Sequence, residues 1–140
     1  MKRTVKEYYE NPESKYGYEI FLKGAQHFGY YPNIKDKISE YEAQDLLHDL
    51  LIEKLELEDG DTLLDAGCGR GVVSCYIAQR LPVKIIGIDI VPYMIEKARS
   101  RSKKLDLQDK ISYIEGSFQG LPVESKSIDK VYTVETLSHA

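Results

Sequence analysis

The stretch that decides the fold is Leu64-Asp65-Ala66-Gly67-Cys68-Gly69-Arg70-Gly71. An apolar run from Thr62 to Ala66 leads into its glycines, and the segment from Gly71 to Arg80 has helical periodicity. Glycines let the backbone turn tightly and approach a ligand closely, while the N-terminus of the following helix favours an anionic group. The stretch therefore predicts a strand, a ligand-binding loop and a helix in succession.

The rest of the chain continues this alternation of short apolar runs and helical segments. Val83–Asp89 is the second predicted strand, a helix runs from Pro92 to about Leu107, and Ile111–Glu115 and Ile128–Val134 supply two more strands. Such alternation is typical of βαβ units, so we expect an α/β, Rossmann-like, doubly wound parallel sheet of strand order 3-2-1-4. Ligands bind such sheets outside the carboxyl ends of strands 1 and 4, where the order reverses.

The segment before the first strand has a different composition. Seven of the eleven tyrosines precede Gly60. Ser39 and Glu42 form a capping box, which predicts a helix from about Glu40 to Leu57. We therefore divide the chain into an aromatic-rich helical cap, residues 1–59, and the first half of a ligand-binding domain, residues 60–140.

Length and charge bound the class of protein. The 140 residues make at most one ordinary domain, and the net charge of -4 argues against general attraction to nucleic acid. We find no apolar run long enough to span a membrane and no secretory signal, which favours a cytoplasmic location. The spacing of Cys68 and Cys75 predicts no zinc site or disulfide framework. The basic residues between Lys97 and Lys104 are expected on a solvated outer face.

The glycine spacing distinguishes between cofactors. A dinucleotide fingerprint requires G-x-G-x-x-G, but Val72 occupies the place of its third glycine. Asp89 ends the second predicted strand 22 residues beyond Gly67, the separation at which an acidic residue meets ribose hydroxyls. The loop therefore favours a nucleoside-containing cofactor other than NAD, although a nicotinamide oxidoreductase remains an alternative.

Four motifs resemble those of class I S-adenosylmethionine-dependent methyltransferases, in the order and at the spacing of that family. They are residues 64–71, then Gly87-Ile88-Asp89-Ile90, then Glu115-Gly116-Ser117 with Leu121-Pro122, and finally Val134-Glu135-Thr136-Leu137-Ser138-His139-Ala140. Earlier in the chain, His27-Phe28-Gly29-Tyr30-Tyr31-Pro32 is similar to the aromatic segment of small-molecule methyltransferases that act on sterols, tocopherols, other lipids or quinones.

The resemblance implies S-adenosylmethionine as the cofactor and requires no metal. Gly67 and Gly69 would pass under its methionine part, Asp65 would hold its amino group, Asp89 would accept both ribose hydroxyls, and Ile90 would pack on the adenine. Ser117-Phe118 stands where the family usually has Asp-Ala, and the serine can accept from the adenine amino group. The implied cofactor-binding set is Asp65, Gly67, Cys68, Gly69, Asp89, Ile90, Ser117 and Phe118.

Two further roles stay open at this point, and no catalytic residue is assigned. His139 either acts as a base, or orients one, or simply shapes the pocket. Tyr30 or Tyr31 either lies over the cofactor, which is the functional alternative, or simply packs against neighbouring residues, which is the structural one.

The full sheet of the family has seven strands, whereas this sequence supplies four. We therefore expect a portion of a longer enzyme that holds most of the cofactor site, with strand four as an apolar edge open to pairing with a second copy. Three functions remain: methyl transfer to a small-molecule acceptor, a non-catalytic S-adenosylmethionine-binding or interaction module, and NAD-dependent oxidoreduction.

Overall fold

The computed structural model describes residues 4–13, 16–17, 20, 24–33, 35, 37–117 and 119–136. Two residues singled out from the sequence, Phe118 and His139, lie outside the described residues. The helices are α1 (Val5–Glu10), α2 (Glu40–Leu55), α3 (Val72–Arg80) and α4 (Pro92–Lys104). The strands are β1 (Thr62–Ala66), β2 (Lys84–Asp89), β3 (Ile111–Glu115) and β4 (Lys130–Tyr132).

The four strands form one sheet in the order β3-β2-β1-β4, with every neighbouring pair parallel. This confirms the predicted α/β class and strand order. Asp65 is in register with Gly87 on one side and Tyr132 on the other, and Asp89 is in register with Glu115. Since the strands are parallel, Asp65 and Asp89 both lie toward the carboxyl edge of the sheet.

Helix α2 begins with the predicted capping box. The Ser39 hydroxyl accepts from the amide of Glu42 at 3.3 Å, and the Glu42 carboxylate accepts from the amide of Ser39 at 2.8 Å. The helix ends at Leu55, two residues before the predicted end, because Glu56 adopts a left-handed conformation with φ of +47°. Leu55 and Leu57 nevertheless both pack against the core.

The ends of three other elements differ from the predicted ones by one to three residues. Gly71 is the N-cap of α3 rather than its first residue, because its φ of +68° is outside the helical range. Helix α4 ends at Lys104 rather than near Leu107, where the amide of Leu107 donates to the carbonyl of Ser102 and closes a turn. Strand β2 begins at Lys84, one residue later than predicted.

Strand β4 is shorter than the predicted span of Ile128–Val134. At its start, Asp129 exchanges two hydrogen bonds with Thr62: its amide donates to the Thr62 carbonyl and its carboxylate accepts from the Thr62 amide. Beyond Tyr132 the chain leaves the ladder, because Thr136 turns back over the glycine loop and its hydroxyl lies 3.3 Å from the Gly67 carbonyl oxygen.

The core lies between the sheet and the helices. Leu63, Ile77, Ile85 and Ala98 are fully buried in it. From α2, the side chains Leu51, Ile52 and Leu55 pack against the same cluster, so this helix shares the core of the sheet. None of the helices in the described part of the chain is long and apolar enough to cross a membrane.

Candidate cofactor pocket

The loop after β1 curls against the end of β2. The amides of Gly67 and Cys68 both donate to the carbonyl of Ile88, at 2.8 and 2.9 Å. Gly67 and Gly69 have φ angles of +86° and +51°, a region that L side chains rarely adopt. The predicted tight turn is therefore present, and its glycines line a pocket at the carboxyl edge of the sheet.

The structure brings the described members of the predicted cofactor-binding set into the wall of this one pocket. They are Asp65, Gly67, Cys68, Gly69, Asp89, Ile90 and Ser117. The set comes from the ends of three consecutive strands and the loops after them, so it depends on the sheet order. This placement makes the pocket the candidate functional site of the chain.

The Asp89 carboxylate ties two loops together. One of its oxygens accepts from the amide of Gly69 at 2.9 Å, and the other accepts from the amide of Val91 at 2.9 Å. Burial raises the pKa of this carboxyl, and the hydrogen bonds from Val91 and Gly69 oppose that rise. Asp89 therefore also fixes the shape of the glycine loop, a role that the sequence reasoning missed.

The Asp65 carboxyl is almost fully buried, at 3% exposed. Burial raises its pKa to about 6, although the hydroxyl of Ser74, which donates to it at 2.7 Å, opposes the rise. A carboxylate in a poorly solvated pocket wall gains when a cation is brought beside it. Asp65 is therefore suited to hold a positively charged group of a ligand.

The rest of the predicted wall is apolar or neutral. Ile90 is 45% exposed and offers a flat aliphatic surface. Burial raises the pKa of the Cys68 thiol well above its ordinary value, so the thiol is neutral. The Ser117 hydroxyl accepts from the amide of Gln119 at 3.1 Å. This wall suits a flat heterocycle with few charged groups.

Thr136 and Glu135 also line the pocket, although the sequence analysis assigned no role to either residue. A Cβ added at Gly67 would collide with the side chain of Thr136, so the loop and the segment after β4 meet there. The Glu135 carboxylate accepts from the amide of Phe28 at 3.1 Å and joins that segment to the cap. Their only signal in the sequence is their position within the methyltransferase-like motif of residues 134–140.

The cap side of the pocket favours the packing alternative for Tyr30 and Tyr31. Tyr9, Gln26 and His27 line the pocket, whereas Tyr30 and Tyr31 do not. The Tyr31 hydroxyl donates instead to the carboxylate of Glu40 at 2.6 Å. The chain turns toward α2 at this point because Gly29 lies directly against Ala43, with no room for a side chain.

The basic residues of α4 do not share one outer face. Lys97, Arg101 and Lys104 line a second cavity together with Arg70 of the glycine loop. Arg99 points elsewhere and donates to the carbonyl of Tyr113 at 2.7 Å. The predicted solvated face holds for Arg99, Lys103 and Lys104, which are exposed, whereas Lys97 and Arg101 are partly buried, because the helical spacing directs them toward Arg70.

No three His, Cys, Asp or Glu side chains of the described residues come together in a way that could hold a metal ion.

Comparison with known proteins defines the class. The sequence profile of the family described as "Methyltransferase domain" matches residues 63–140, more than half of the chain. The chain therefore belongs to the class I S-adenosylmethionine-dependent methyltransferase family, as the four motifs predicted.

The chain is also similar in sequence to individual proteins of known activity. The chain is 35% identical over 142 aligned residues to the S-adenosyl-L-methionine-dependent Diels-Alderase iccD of Talaromyces variabilis, an alignment that covers 99% of this chain and 48% of that protein. It is 36% identical to the sterol 24-C-methyltransferase ERG6 of Saccharomyces cerevisiae, over 64% of this chain and 24% of the enzyme.

Solved structures share the fold of this chain. The [4+2]-cyclase SpnF superposes with a TM-score of 0.76 and 25% identity over 92% of this chain and 48% of its own. A geranyl diphosphate methyltransferase in complex with GPP and sinefungin, 21% identical, shares the fold with a TM-score of 0.71 over 78% of this chain and 45% of its own. The chain spans about half the length of iccD and SpnF and about a quarter of the sterol methyltransferase.

Proposed function

We propose that this pocket binds S-adenosylmethionine, and S-adenosylhomocysteine after transfer. The observation that carries the proposal is the pair of carboxyls, Asp65 and Asp89, which reach one pocket from the ends of β1 and β2 across the glycine loop. Asp65 holds the amino group of the methionine part, because its buried carboxylate requires a cation. Asp89 accepts from the ribose hydroxyls with lone pairs that its two backbone partners leave available.

The remaining wall residues bind the uncharged parts of the cofactor. Ile90 packs on one face of the adenine, and Ser117 and the backbone around it lie at the adenine edge. Phe118 belongs to the same proposed contact. Gly67, Cys68 and Gly69 pass beneath the methionine part, where the absence of side chains at 67 and 69 permits close approach.

The proposed reaction is methyl transfer to a small molecule of the lipid, quinone or amine class. Bound S-adenosylmethionine would supply an electrophilic sulfonium methyl group, and a nucleophilic O, N or C atom of the acceptor would attack this methyl carbon in line, so that the S–CH3 bond breaks and S-adenosylhomocysteine leaves. The chain's own residues contribute binding and orientation: the two carboxyls fix the cofactor, and Tyr9 and His27 restrict the open side. The similarity to sterol 24-C-methyltransferases supports a lipid acceptor.

A second candidate has a specific observation in its favour. The relative iccD, which aligns with nearly the whole chain, is described as a Diels-Alderase, and SpnF is described as a [4+2]-cyclase. Such a reaction joins a diene to an alkene without moving a methyl group. A cofactor-binding module with no turnover is the third possibility, and NAD-dependent chemistry is disfavoured by Val72.

A radiolabelled methyl-transfer assay separates these candidates. The protein is incubated with methyl-labelled S-adenosylmethionine and with panels of sterol, quinone, amine and polyene compounds, and product label, S-adenosylhomocysteine and unlabelled conversion products are quantified. Methyl transfer predicts labelled product with equimolar S-adenosylhomocysteine. Conversion of a polyene substrate with the cofactor recovered intact supports the cyclase function instead. If neither reaction is observed, the non-catalytic binding module is the remaining candidate.

A further inference from the structure

The cap segment of residues 24–31 is held in place by contacts that converge on α2. The Gly29 amide donates to a carboxylate oxygen of Glu40 at 2.6 Å, and the Tyr30 amide donates to the Ala43 carbonyl at 2.8 Å. The side-chain amide of Gln44 donates to the His27 carbonyl at 3.1 Å. These hydrogen bonds hold the segment against the cofactor pocket. As a result, the Gln26 side chain lies over Gly69 and His27 lines the pocket wall.

Two buried histidines join the segment to the same helix. His27 is 5% and His48 2% exposed, and their Nε2 atoms lie 3.1 Å apart. The Nδ1 atom of His27 lies 2.9 Å from the Phe28 carbonyl oxygen and must donate to it, because a carbonyl only accepts. In a neutral His27 the Nε2 atom is then the acceptor, so the Nε2 atom of His48 carries the proton between the rings.

We propose that the His27–His48 contact is a proton-sensitive clasp that holds residues 24–31 over the glycine loop, and that uptake of one more proton by the pair releases the segment and weakens the cofactor site. A proton on Nδ1 of His48 turns a buried neutral side chain into a buried cation. That event disfavours the closed arrangement. The coupling to the cofactor rests on the proposed function, whereas the clasp itself does not.

Charged side chains around the histidine pair determine whether an added proton is favoured or disfavoured. On α2, the carboxylates of Asp45 and Asp49 would favour a cation, and Asp45 lies 3.9 Å from Nδ1 of His48. The Asp49 carboxylate already accepts from the Tyr76 hydroxyl of α3 at 2.8 Å, and the Tyr76 ring packs on His48 with centroids 4.6 Å apart. Arg80 of α3, stacked on that ring, opposes a second cation.

The effect of burial on the pKa of His48 is larger than the opposing effect of the two carboxylates. It lowers the pKa of His48 to about 4, with His27 and Arg80 adding to the decrease. If His48 regains an ordinary pKa near 6.5 when the segment opens, the opening equilibrium rises about 30-fold between pH 7.5 and pH 5.0. The factor by which cofactor binding favours closure of the segment equals the factor by which closure favours cofactor binding, because linkage is reciprocal.

Amide hydrogen exchange tests the clasp directly. Exchange of the Tyr30 amide, corrected for the intrinsic pH dependence of exchange, is measured at pH 7.5 and 5.0 without ligand. The control is the Ile85 amide of β2, which donates to Lys110 at the far end of the sheet. We expect protection of Tyr30 to fall about 30-fold with little change at Ile85. No fall at Tyr30, or an equal fall at both amides through global unfolding, would overturn the proposal.

The matched variant is His48→Gln, whose side-chain amide can donate to Nε2 of His27 and does not titrate. Its Tyr30 protection should change by less than about 3-fold over the same pH range, and a fall equal to that of the wild type would overturn the role of His48. S-adenosylhomocysteine should raise Tyr30 protection at pH 7.5, and no rise on saturation would overturn the coupling. Absence of any binding would contradict the proposed function instead, while the ligand-free exchange experiment still decides the clasp.

Discussion

Asp65 is the residue at which stability and proposed function conflict. Its carboxyl has a pKa of about 6 in the folded chain, above the ordinary value near 4. The folded state therefore binds more protons than the unfolded state between about pH 4 and 6. In that window, this group makes the ligand-free protein less stable as the pH rises.

The first prediction follows from this conflict. Asp65→Asn keeps an acceptor for Ser74 and removes the buried charge, so ligand-free stability at pH 7.5 should rise by up to about 3 kcal/mol. Affinity for S-adenosylhomocysteine should fall at least about tenfold, because the amino group loses its counter-charge. Urea unfolding and calorimetry measure the two effects, with the exposed Asp109→Asn as the control. A variant that is less stable and binds normally would contradict the assignment.

Asp89 is the second residue with two roles, because it binds the loop and, as proposed, the ribose. Asp89→Ala should cost about 2 to 3 kcal/mol of S-adenosylhomocysteine binding through the lost charge-assisted hydrogen bonds. The matched control is Glu115→Ala, since Glu115 ends the neighbouring strand in register with Asp89 and does not line the pocket. Calorimetry on the three proteins decides the point, and equal affinities would exclude the ribose contact.

At the scale of the elements, the glycine loop and the segment after β4 depend on each other. Gly67 combines a φ of +86° with direct contact to Thr136. Gly67→Ala should therefore displace Thr136, lower the melting temperature and abolish detectable cofactor binding. Gly120→Ala is the control, because nothing lies within 4 Å of a Cβ there. Thermal unfolding and binding on the same preparations measure both effects, and a Gly67→Ala protein that binds normally would show that the loop is not the cofactor cradle.

The elements could be predicted because their signals are local. Each element is determined by residues close together in the sequence: the apolar runs, the capping box at Ser39 and the glycine loop. The right-handed crossover rule then predicts the strand order. The exact ends were not predictable where a single residue decides them, as with the left-handed Glu56.

The cap side of the site was not predictable for a different reason. Gln26, His27 and His48 reach their positions through contacts between segments far apart in the sequence, such as Gly29 against Ala43. No periodicity encodes such a contact, and the aromatic residues beside it drew attention to Tyr30 and Tyr31 instead. The division of the chain at residue 59 and the roles of Phe118 and His139 stay predictions.

At the scale of the whole molecule, β4 is the outermost strand on its side of the described sheet. Its Val131 side chain is 57% exposed, and an exposed apolar edge strand favours pairing with another copy. We predict that the chain self-associates at micromolar concentration and that Val131→Lys shifts it toward the monomer. Light scattering after size exclusion measures this. A monomeric wild type, or association unchanged by the lysine, would contradict pairing through β4.

The pocket at the carboxyl ends of β1 and β2 is the proposed site for S-adenosylmethionine. Titration calorimetry with S-adenosylhomocysteine at pH 7.5, with NAD titrated in parallel, tests it most directly. We predict one S-adenosylhomocysteine site per chain, lost on Gly67→Ala, and no measurable heat from NAD. Saturable binding of NAD in place of S-adenosylhomocysteine would contradict the account.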